Sequence, residues 1–175
     1  MPAPRMLLSA EDIERSLQTL ARSILERRDP EPALIGIQRR GVDLARRLRE
    51  ILAQNGLDVP LGTLDITLYR DDWTVKGAKP VVGRTHIPFA VEGKTLILVD
   101  DVLYTGRTIR AALEALTDFG RPGKVELLVL VDRGLRELPI HADYVGLSVE
   151  TTPAQRVDVL LRERDDRDEV LLVEA

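Results

Sequence analysis

The chain has 175 residues, of which 44% are hydrophobic and 31% are charged, proportions that exclude wholesale disorder and predict one folded domain over residues 1–175. No apolar run approaches the roughly 20 residues of a membrane span, so we expect no membrane partner. The absence of cysteine excludes a disulfide framework and a cysteine-ligated metal, and favours a cytoplasmic setting. The net charge of −4 excludes a globally basic nucleic-acid-binding protein but not a local basic patch.

The first half of the chain predicts two helices and two strands before a long polar segment. Apolar residues recur at helical spacing from Ser9 to Arg28, where Ser9 is a suitable N-cap and Asp12 resembles its capping-box partner. The elements predicted next are a buried strand at 33–37, a helix at 42–54 and a strand at 61–69. Residues 70–85 show no clear periodicity, and loops of this length in compact domains are usually functional lids or disordered.

The second half continues the alternation of strands and helices. The predicted elements are a strand at 95–99, a turn at 100–106, a helix at 107–119, a strand at 125–131 and short antiparallel or edge strands at 144–147, 157–161 and 170–173. This alternation predicts a mostly parallel sheet that is covered on both faces. The turns that follow three of the strands, at 38–41, 100–108 and 132–137, should therefore converge on one crevice.

The turn at 100–108 carries the strongest chemical signal. It opens a helix, whose N-terminal N–H groups bind phosphate well, and Gly106 allows close backbone approach. The hydroxyls of Thr105 and Thr108 can donate to phosphate oxygens, whereas Asp100 and Asp101 suit sugar hydroxyls or a hydrated Mg²⁺. The alternative is a strand–turn–helix unit in which an aspartate only caps the helix. The full pattern favours a ligand that has both a phosphate and a ribose.

Residues 98–108 read Leu-Val-Asp-Asp-Val-Leu-Tyr-Thr-Gly-Arg-Thr, which resembles the phosphoribosyl pyrophosphate (PRPP) motif of type I phosphoribosyltransferases. The segment Val-Leu-Tyr-Thr-Gly-Arg-Thr is similar to the PyrR family, whose members regulate pyrimidine operons and have uracil phosphoribosyltransferase activity. Further blocks at 64–72, 130–134 and 136–146 extend the resemblance over nearly the whole chain. It implies an α/β fold of the type I phosphoribosyltransferase kind, with a central mostly parallel sheet, flanking helices and a small C-terminal hood.

The resemblance also implies roles for individual residues, and it provides no dedicated catalytic residue. The implied sites are PRPP or UMP binding at Asp100, Asp101, Val102, Leu103, Tyr104, Thr105, Gly106, Arg107 and Thr108; pyrophosphate at Arg39, Arg40 and Gly41; uracil at Arg133 and Val157; and a lid at Arg70, Asp71 and Asp72. Asp100 and Asp101 would contact the Mg²⁺ cofactor indirectly, through PRPP. Neither His86 nor His141 is assigned a catalytic role.

Several of these positions have a simpler interpretation. The family usually has Lys-Thr-Arg-Gly where this chain has Gln-Arg-Arg-Gly at 38–41, so Arg40 is kept and Arg39 is added. The two arginines could be a solvated pair that opens a helix, although cations are disfavoured there unless an anion binds. Arg133 could form a strand-end salt bridge, and Val157 could belong to the core.

The family also implies a homo-oligomer and, in response to UMP, binding of the pyr mRNA leader. Such RNA binding needs basic side chains, for which Arg15, Arg22 and Arg136 are the candidates. Three positions that are commonly polar or basic in the family are here Leu135, His141 and Leu147, and the candidate arginines could simply be solvated. Two alternatives therefore remain: an enzyme that has lost its RNA face, and a nucleotide-sensing regulator with little catalysis.

Overall fold

The computed structural model describes residues 2–27, 29–69 and 85–174, and the predicted lid at Arg70, Asp71 and Asp72 lies outside them. The strands are β1 (Arg5–Leu8), β2 (Pro32–Ile37), β3 (Leu61–Leu64), β4 (Thr95–Leu103), β5 (Lys124–Asp132), β6 (Tyr144–Ser148), β7 (Gln155–Leu160) and β8 (Glu169–Glu174). The helices are α1 (Ala10–Arg27), α2 (Arg40–Gln54), α3 (Arg107–Leu116) and the short α4 (Arg162–Asp165).

A five-stranded sheet in the order β3-β2-β4-β5-β6 forms the centre of the molecule, and all of its strand pairs are parallel. One face packs on α1 and α2 through buried residues such as Leu17, Leu48 and Ile97. The other face packs on α3 through Ile109 and Leu98, among others. This arrangement confirms the predicted mostly parallel sheet with helices on both faces, and it brings the loops after β2, β4 and β5 to the same sheet edge.

A second, antiparallel sheet in the order β1-β8-β7 forms the hood, together with the segment 161–168 that joins β7 to β8 and contains α4. The C-terminal strands were predicted, but β1 was not, because four residues are too few to show a clear period. The hood is therefore built from both ends of the chain. No helix within the described ranges combines the length and apolar character that a bilayer span requires.

Local side-chain chemistry explains where several elements begin and end. Ser9 N donates to Asp12 Oδ2 (2.9 Å) and Asp12 N donates to Ser9 Oγ (3.2 Å), so the predicted capping box is present. The strand predicted at 61–69 was too long: β3 ends at Leu64, and residues 67–69 form a 3₁₀ turn. There Asp65 Oδ1 accepts the Thr67 N–H at 2.8 Å, which offers the backbone an alternative to strand pairing.

Two further boundaries and the direction of one strand differ from the prediction. The strand β4 continues to Leu103, because residues 100–103 still pair with β5, so the two acidic residues lie within the strand and not in a turn. The segment at 144–148 is an edge strand, as one alternative predicted, but it runs parallel to β5. The helix predicted to Phe119 ends at Leu116 and is followed by a 3₁₀ turn.

Candidate functional site

Two adjacent carboxylates lie near the carboxyl end of β4. Asp100 is only 7% exposed, and its Oδ1 accepts the Asp101 N–H at 2.9 Å, while Asp101 Oδ1 accepts the Val102 N–H at the same distance. Burial, and then the negative charge of Asp101, raise the pKa of Asp100 well above its ordinary value. A hydrogen-bond donor or cation that reached this pair would lower that pKa, so the site electrostatically favours such a ligand.

The N-terminus of α3 follows directly after this strand. Gly106 occupies the N-cap position with φ of 93°, in the left-handed region that glycine adopts without steric cost. Thr105 Oγ1 accepts the Arg107 N–H at 3.2 Å, and the Thr105 carbonyl accepts the Glu137 N–H at 2.9 Å. The loop after β5 is thereby held against the turn, which presents the first N–H groups of α3 at the sheet edge.

The N-terminus of α2 packs against the same strand. A Cβ atom on Gly41 would lie 2.3 Å from the carbonyl oxygen of Val99, closer than any side chain tolerates, and 3.2 Å from Asp100 Cα. The preceding Gln38–Arg39 peptide bond is cis. The close approach of Gly41 brings the predicted pyrophosphate loop into direct backbone contact with β4 at Val99 and Asp100.

The two arginines of this loop have different surroundings. Arg40 Nη2 donates to both carboxylate oxygens of Asp165, at 3.0 and 3.1 Å, so the hood neutralises its charge. Arg39 occupies the N-cap position of α2 and is exposed, and within the described part of the chain it makes no ion pair. The alternative of a simple solvated pair therefore does not describe Arg40.

Arg133 is buried and connects the β4 turn with the hood. Its guanidinium lies 3.9 Å from the centroid of the Tyr104 ring, in cation–π geometry. It also donates to Thr151 Oγ1 (3.1 Å), to the Thr152 carbonyl (3.2 Å) and to the Gln155 carbonyl (2.7 Å). These contacts position the 151–155 loop, and they are not those of a strand-end salt bridge.

Val157 lies on β7, opposite Leu172 of β8. It is half-buried and packs against the core cluster beneath the hood. Val157 thus shares β7 with Gln155, whose carbonyl accepts a hydrogen bond from Arg133. The packing of Val157, however, is that of a core residue.

The three RNA-binding candidates also differ. Arg136 donates to Asp132 Oδ2 (2.6 Å), to the Ile140 carbonyl (2.8 Å) and to the Tyr104 carbonyl (2.8 Å), so its guanidinium is engaged inside the loop after β5. Arg15 is 75% exposed and pairs with Asp12 at 2.7 Å.

Arg22 is exposed and, among the residues that the structure describes, makes no ion pair. It lies two helical turns from Arg15, on the same side of α1.

The ion pairs that attach the hood to α2 were not predicted from the sequence. Arg47 donates to both oxygens of Glu163 (2.8 and 2.6 Å) and to both oxygens of Asp168 (3.0 and 2.8 Å), and Arg164 pairs with Asp43 at 2.6 Å. Burial opposes the charge of Asp168, yet its bonds with Arg47 hold its pKa below the ordinary value. These partners are far apart in the chain, and only the density of charges at 162–168 could have signalled them.

The family described as "Phosphoribosyl transferase domain" matches residues 5–163. The bifunctional protein PyrR of Desulfosudis oleivorans is 58% identical over 170 residues, which cover 95% of this chain and 94% of that protein. The bifunctional protein PyrR of Thermus thermophilus is 51% identical over 171 residues, with 96% and 94% covered. The chain belongs to the PyrR family. It is therefore a phosphoribosyltransferase, as residues 98–108 predicted.

Solved structures show the same fold for this PyrR-family chain. A hypoxanthine phosphoribosyltransferase from Staphylococcus aureus superimposes with a TM-score of 0.72 at 19% identity, covering 98% of this chain and 92% of that one. A Trypanosoma cruzi hypoxanthine phosphoribosyltransferase superimposes with a TM-score of 0.75 at 18% identity, covering 97% and 94%. The type I phosphoribosyltransferase fold predicted from the sequence is confirmed.

Proposed function

We propose that this chain converts uracil and PRPP to UMP and pyrophosphate and that, as a homo-oligomer loaded with UMP, it binds the pyr mRNA leader. The observation that carries the enzymatic half is the meeting of three features at one sheet edge: the Asp100–Asp101 pair, the α3 N-terminus at Gly106, and the Gly41 backbone. The regulatory half is supported by the PyrR relatives, which are named bifunctional.

In this proposal the ligand spans the crevice from α3 to α2. The 5-phosphate accepts hydrogen bonds from residues 105–108, which offer the first N–H groups of α3 and the hydroxyls of two threonines. The ribose hydroxyls donate to Asp100 and Asp101, and Asp100 favours such donors because burial and the charge of Asp101 raise its pKa. The pyrophosphate group lies against residues 39–41.

The reaction follows from that placement. A ring nitrogen of uracil forms a bond to C1 of the ribose and loses its proton, while the bond from C1 to pyrophosphate oxygen breaks and its electron pair leaves with pyrophosphate. Positive charge develops on the ribose, beside the carboxylates, and negative charge develops at the α2 N-terminus. Fixed charges and dipoles that face the ribose and the leaving pyrophosphate stabilise this transition state. The base lies beside Tyr104 and Arg133, with Val157 closing the pocket beneath the hood.

The donor set fits a magnesium ion that is held mainly by the substrate. Among the described residues, no group of three or more histidine, cysteine or acidic side chains is arranged to hold a metal. Asp100 and Asp101 offer carboxylate oxygens, and Mg²⁺ is commonly bound by one or two carboxylates together with phosphate oxygens and water. When bound, Mg²⁺ would neutralise pyrophosphate charge.

The enzymatic half is tested by incubating the purified protein with PRPP, Mg²⁺ and uracil and quantifying UMP. We expect UMP, little product from hypoxanthine, and a loss of about 100-fold in kcat/KM in Asp101→Asn, because a hydrogen bond aimed at developing charge is removed. Asp58→Asn, at an exposed position after α2, is the matched control. UMP formation no greater than without enzyme, or a preference for hypoxanthine, contradicts the assignment.

The regulatory half is tested by fluorescence anisotropy with a pyr leader hairpin, with and without UMP, over a series of salt concentrations. We expect tighter binding with UMP. Arg22→Gln should weaken binding and reduce the salt slope by about 1, as the loss of one phosphate contact does. Arg46→Gln, on the exposed side of α2, is the control. UMP formation without hairpin binding would support the enzyme-only alternative, and binding without turnover would support the nucleotide-sensing alternative.

A further inference from the structure

A cluster of charged and polar side chains lies near the start of β5, at the opposite end of the sheet from the crevice. Its centre is Glu126, the third residue of the strand, which is 3% exposed. The crevice is formed at the carboxyl ends of the strands, and about 20 Å of extended chain separates Glu126 from Asp132. The proposed reaction therefore makes no use of this buried carboxyl group.

Side chains from α1, β5, β6 and the connection before β2 meet at Glu126. The guanidinium of Arg27, at the end of α1, donates to Glu126 Oε2 and lies 4.3 Å from the centroid of the Tyr144 ring on β6. The Tyr144 hydroxyl lies 3.4 Å from both carboxyl oxygens of Glu126. The Lys124 ammonium lies 3.9 Å from Glu126 Oε1 and donates to Asp29 Oδ1 at 2.8 Å. One ammonium thus bridges two carboxyl groups, and the cluster joins the end of α1 to β5 and β6.

Water reaches the cations of this cluster more readily than its carboxyl groups. The side chains of Arg27 and Lys124 are 42% and 50% exposed, whereas those of Asp29 and Glu126 are 18% and 3% exposed. Solvent therefore screens the two cations, while burial and a neighbouring carboxylate both disfavour the charge of Glu126. Burial, and then the hydrogen bond with Asp29, raise the pKa of Glu126. A hydrogen bond between two carboxyl groups requires a proton, so the pair holds one proton between them.

The other ionisable groups around the cluster are engaged in different contacts. The Asp143 carboxylate accepts a backbone N–H of β5 at 2.8 Å, and the Asp143 carbonyl accepts an N–H of Arg27 at 3.3 Å. His141 is exposed and lies 4.0 Å from Asp143. Lys94 pairs with Glu31 at 3.6 Å. The central carboxyl pair is therefore the part of the cluster whose protonation depends most directly on the packing of α1.

We propose that the Asp29–Glu126 carboxyl pair is a proton-dependent latch, which holds the C-terminal end of α1 against β5 and β6 while the pair carries one proton and loosens when that proton passes to solvent. Loss of the proton leaves two carboxylates at one buried place, opposite cations that are half-exposed. Movement of Arg27 and the end of α1 away from the sheet hydrates Glu126, so ionisation and opening favour each other. The latch acts on the helix that carries Arg15 and Arg22, and not on the crevice.

The direction of the pH effect follows from the shifted pKa values. Opening exposes Glu126 and returns its pKa toward the ordinary 4.5, whereas the closed cluster raises it. The open form is therefore favoured increasingly as the pH rises from 4.5 through the closed-state pKa of Glu126. Hydrogen bonds with Lys124 and then with Glu126 lower the pKa of Asp29, so Asp29 stays ionised over this range.

The test is native-state amide exchange of the full chain from about pH 5 to about pH 8, corrected for the intrinsic pH dependence of exchange. We expect the protection of residues 20–27, at the end of α1, to fall by about threefold or more with rising pH, because each unit of pKa difference changes the opening equilibrium tenfold. Glu126→Gln cannot ionise and should keep constant protection. Asp29→Asn places an amide donor beside Glu126, which lowers the pKa of Glu126 and should also flatten the dependence.

Glu50→Gln, at an exposed position on α2, is the matched control and should keep the wild-type pH dependence. An NMR titration of isotope-labelled glutamate carboxyl groups measures the pKa of Glu126 directly. Wild-type protection that does not change with pH, a Glu126 pKa at or below the ordinary 4.5, or an unchanged pH dependence in folded Glu126→Gln would overturn the inference. If Glu126→Gln does not fold, an unchanged pH dependence in Asp29→Asn contradicts the latch equally.

Discussion

The backbone contact between Gly41 and β4 predicts a large effect from one added methyl group. In Gly41→Ala the new Cβ would lie 2.3 Å from Val99 O, whereas ordinary contact begins at 3.4 Å, so α2 must retreat by about 1 Å. Overpacking of this kind costs about 3 kcal/mol when both partners are backbone. The retreat also moves the 39–41 loop away from Asp100, and a 1 Å misplacement can lower kcat/KM by about 100-fold.

Urea denaturation and UMP-forming kinetics measure the two effects separately. Gly56→Ala is the matched control, because it adds the same methyl group just after α2, where nothing lies within 4 Å. Its φ of 86° should cost about 1 kcal/mol of stability and leave kcat/KM unchanged. A Gly41→Ala protein with wild-type stability and kcat/KM would refute the claim that this contact sets the geometry of the crevice.

Three further predictions follow from named contacts. Because burial raises the pKa of Asp100 above the ordinary 3.8, Asp100→Asn should become more stable relative to wild type as pH rises from 3.8 through the folded-state pKa, measured by urea denaturation across pH; a constant difference contradicts this. Arg47→Met leaves Glu163 without its arginine partner and Asp168 with only the longer pair to Arg162, and it should cost about 3 kcal/mol, with faster amide exchange in the hood; unchanged exchange contradicts it. Ser9→Ala removes the cap of α1 and should cost about 1 kcal/mol by denaturation, whereas wild-type stability would show the cap to be dispensable.

Elements with strong local signals could be predicted from the sequence. The capping box at Ser9 and Asp12 and the apolar runs of the parallel strands were correct because their causes lie within a few residues. The order of strands and turns then placed the loops at 38–41 and 100–108 at one edge. Boundaries were less accurate where a neighbouring strand decided them, as at Leu103, whose pairing with Asp132 extends β4.

Long-range charge pairing could not be predicted. Arg40 and Asp165 come together only because the hood folds back over α2, and the sequence gives each of them several equally plausible partners. The same holds for Arg47, which is buried although no local pattern on α2 distinguishes it from its exposed neighbour Arg46. Burial and ion pairing of such residues depend on topology, which a charge pattern alone does not contain.

The candidate RNA-binding residues show why the difference between local signals and long-range charge pairing matters for function. All three candidate arginines were equivalent in the sequence, yet Arg136 satisfies carbonyl and carboxylate acceptors beside Tyr104, and Arg15 is paired with Asp12. A variant of Arg136 would disturb the loop that supports the β4 turn, so a loss of RNA binding in that variant would have two explanations. Arg22 is exposed and distant in sequence from every residue of the crevice. It is therefore the position at which loss of RNA binding, with UMP formation retained, identifies a phosphate contact.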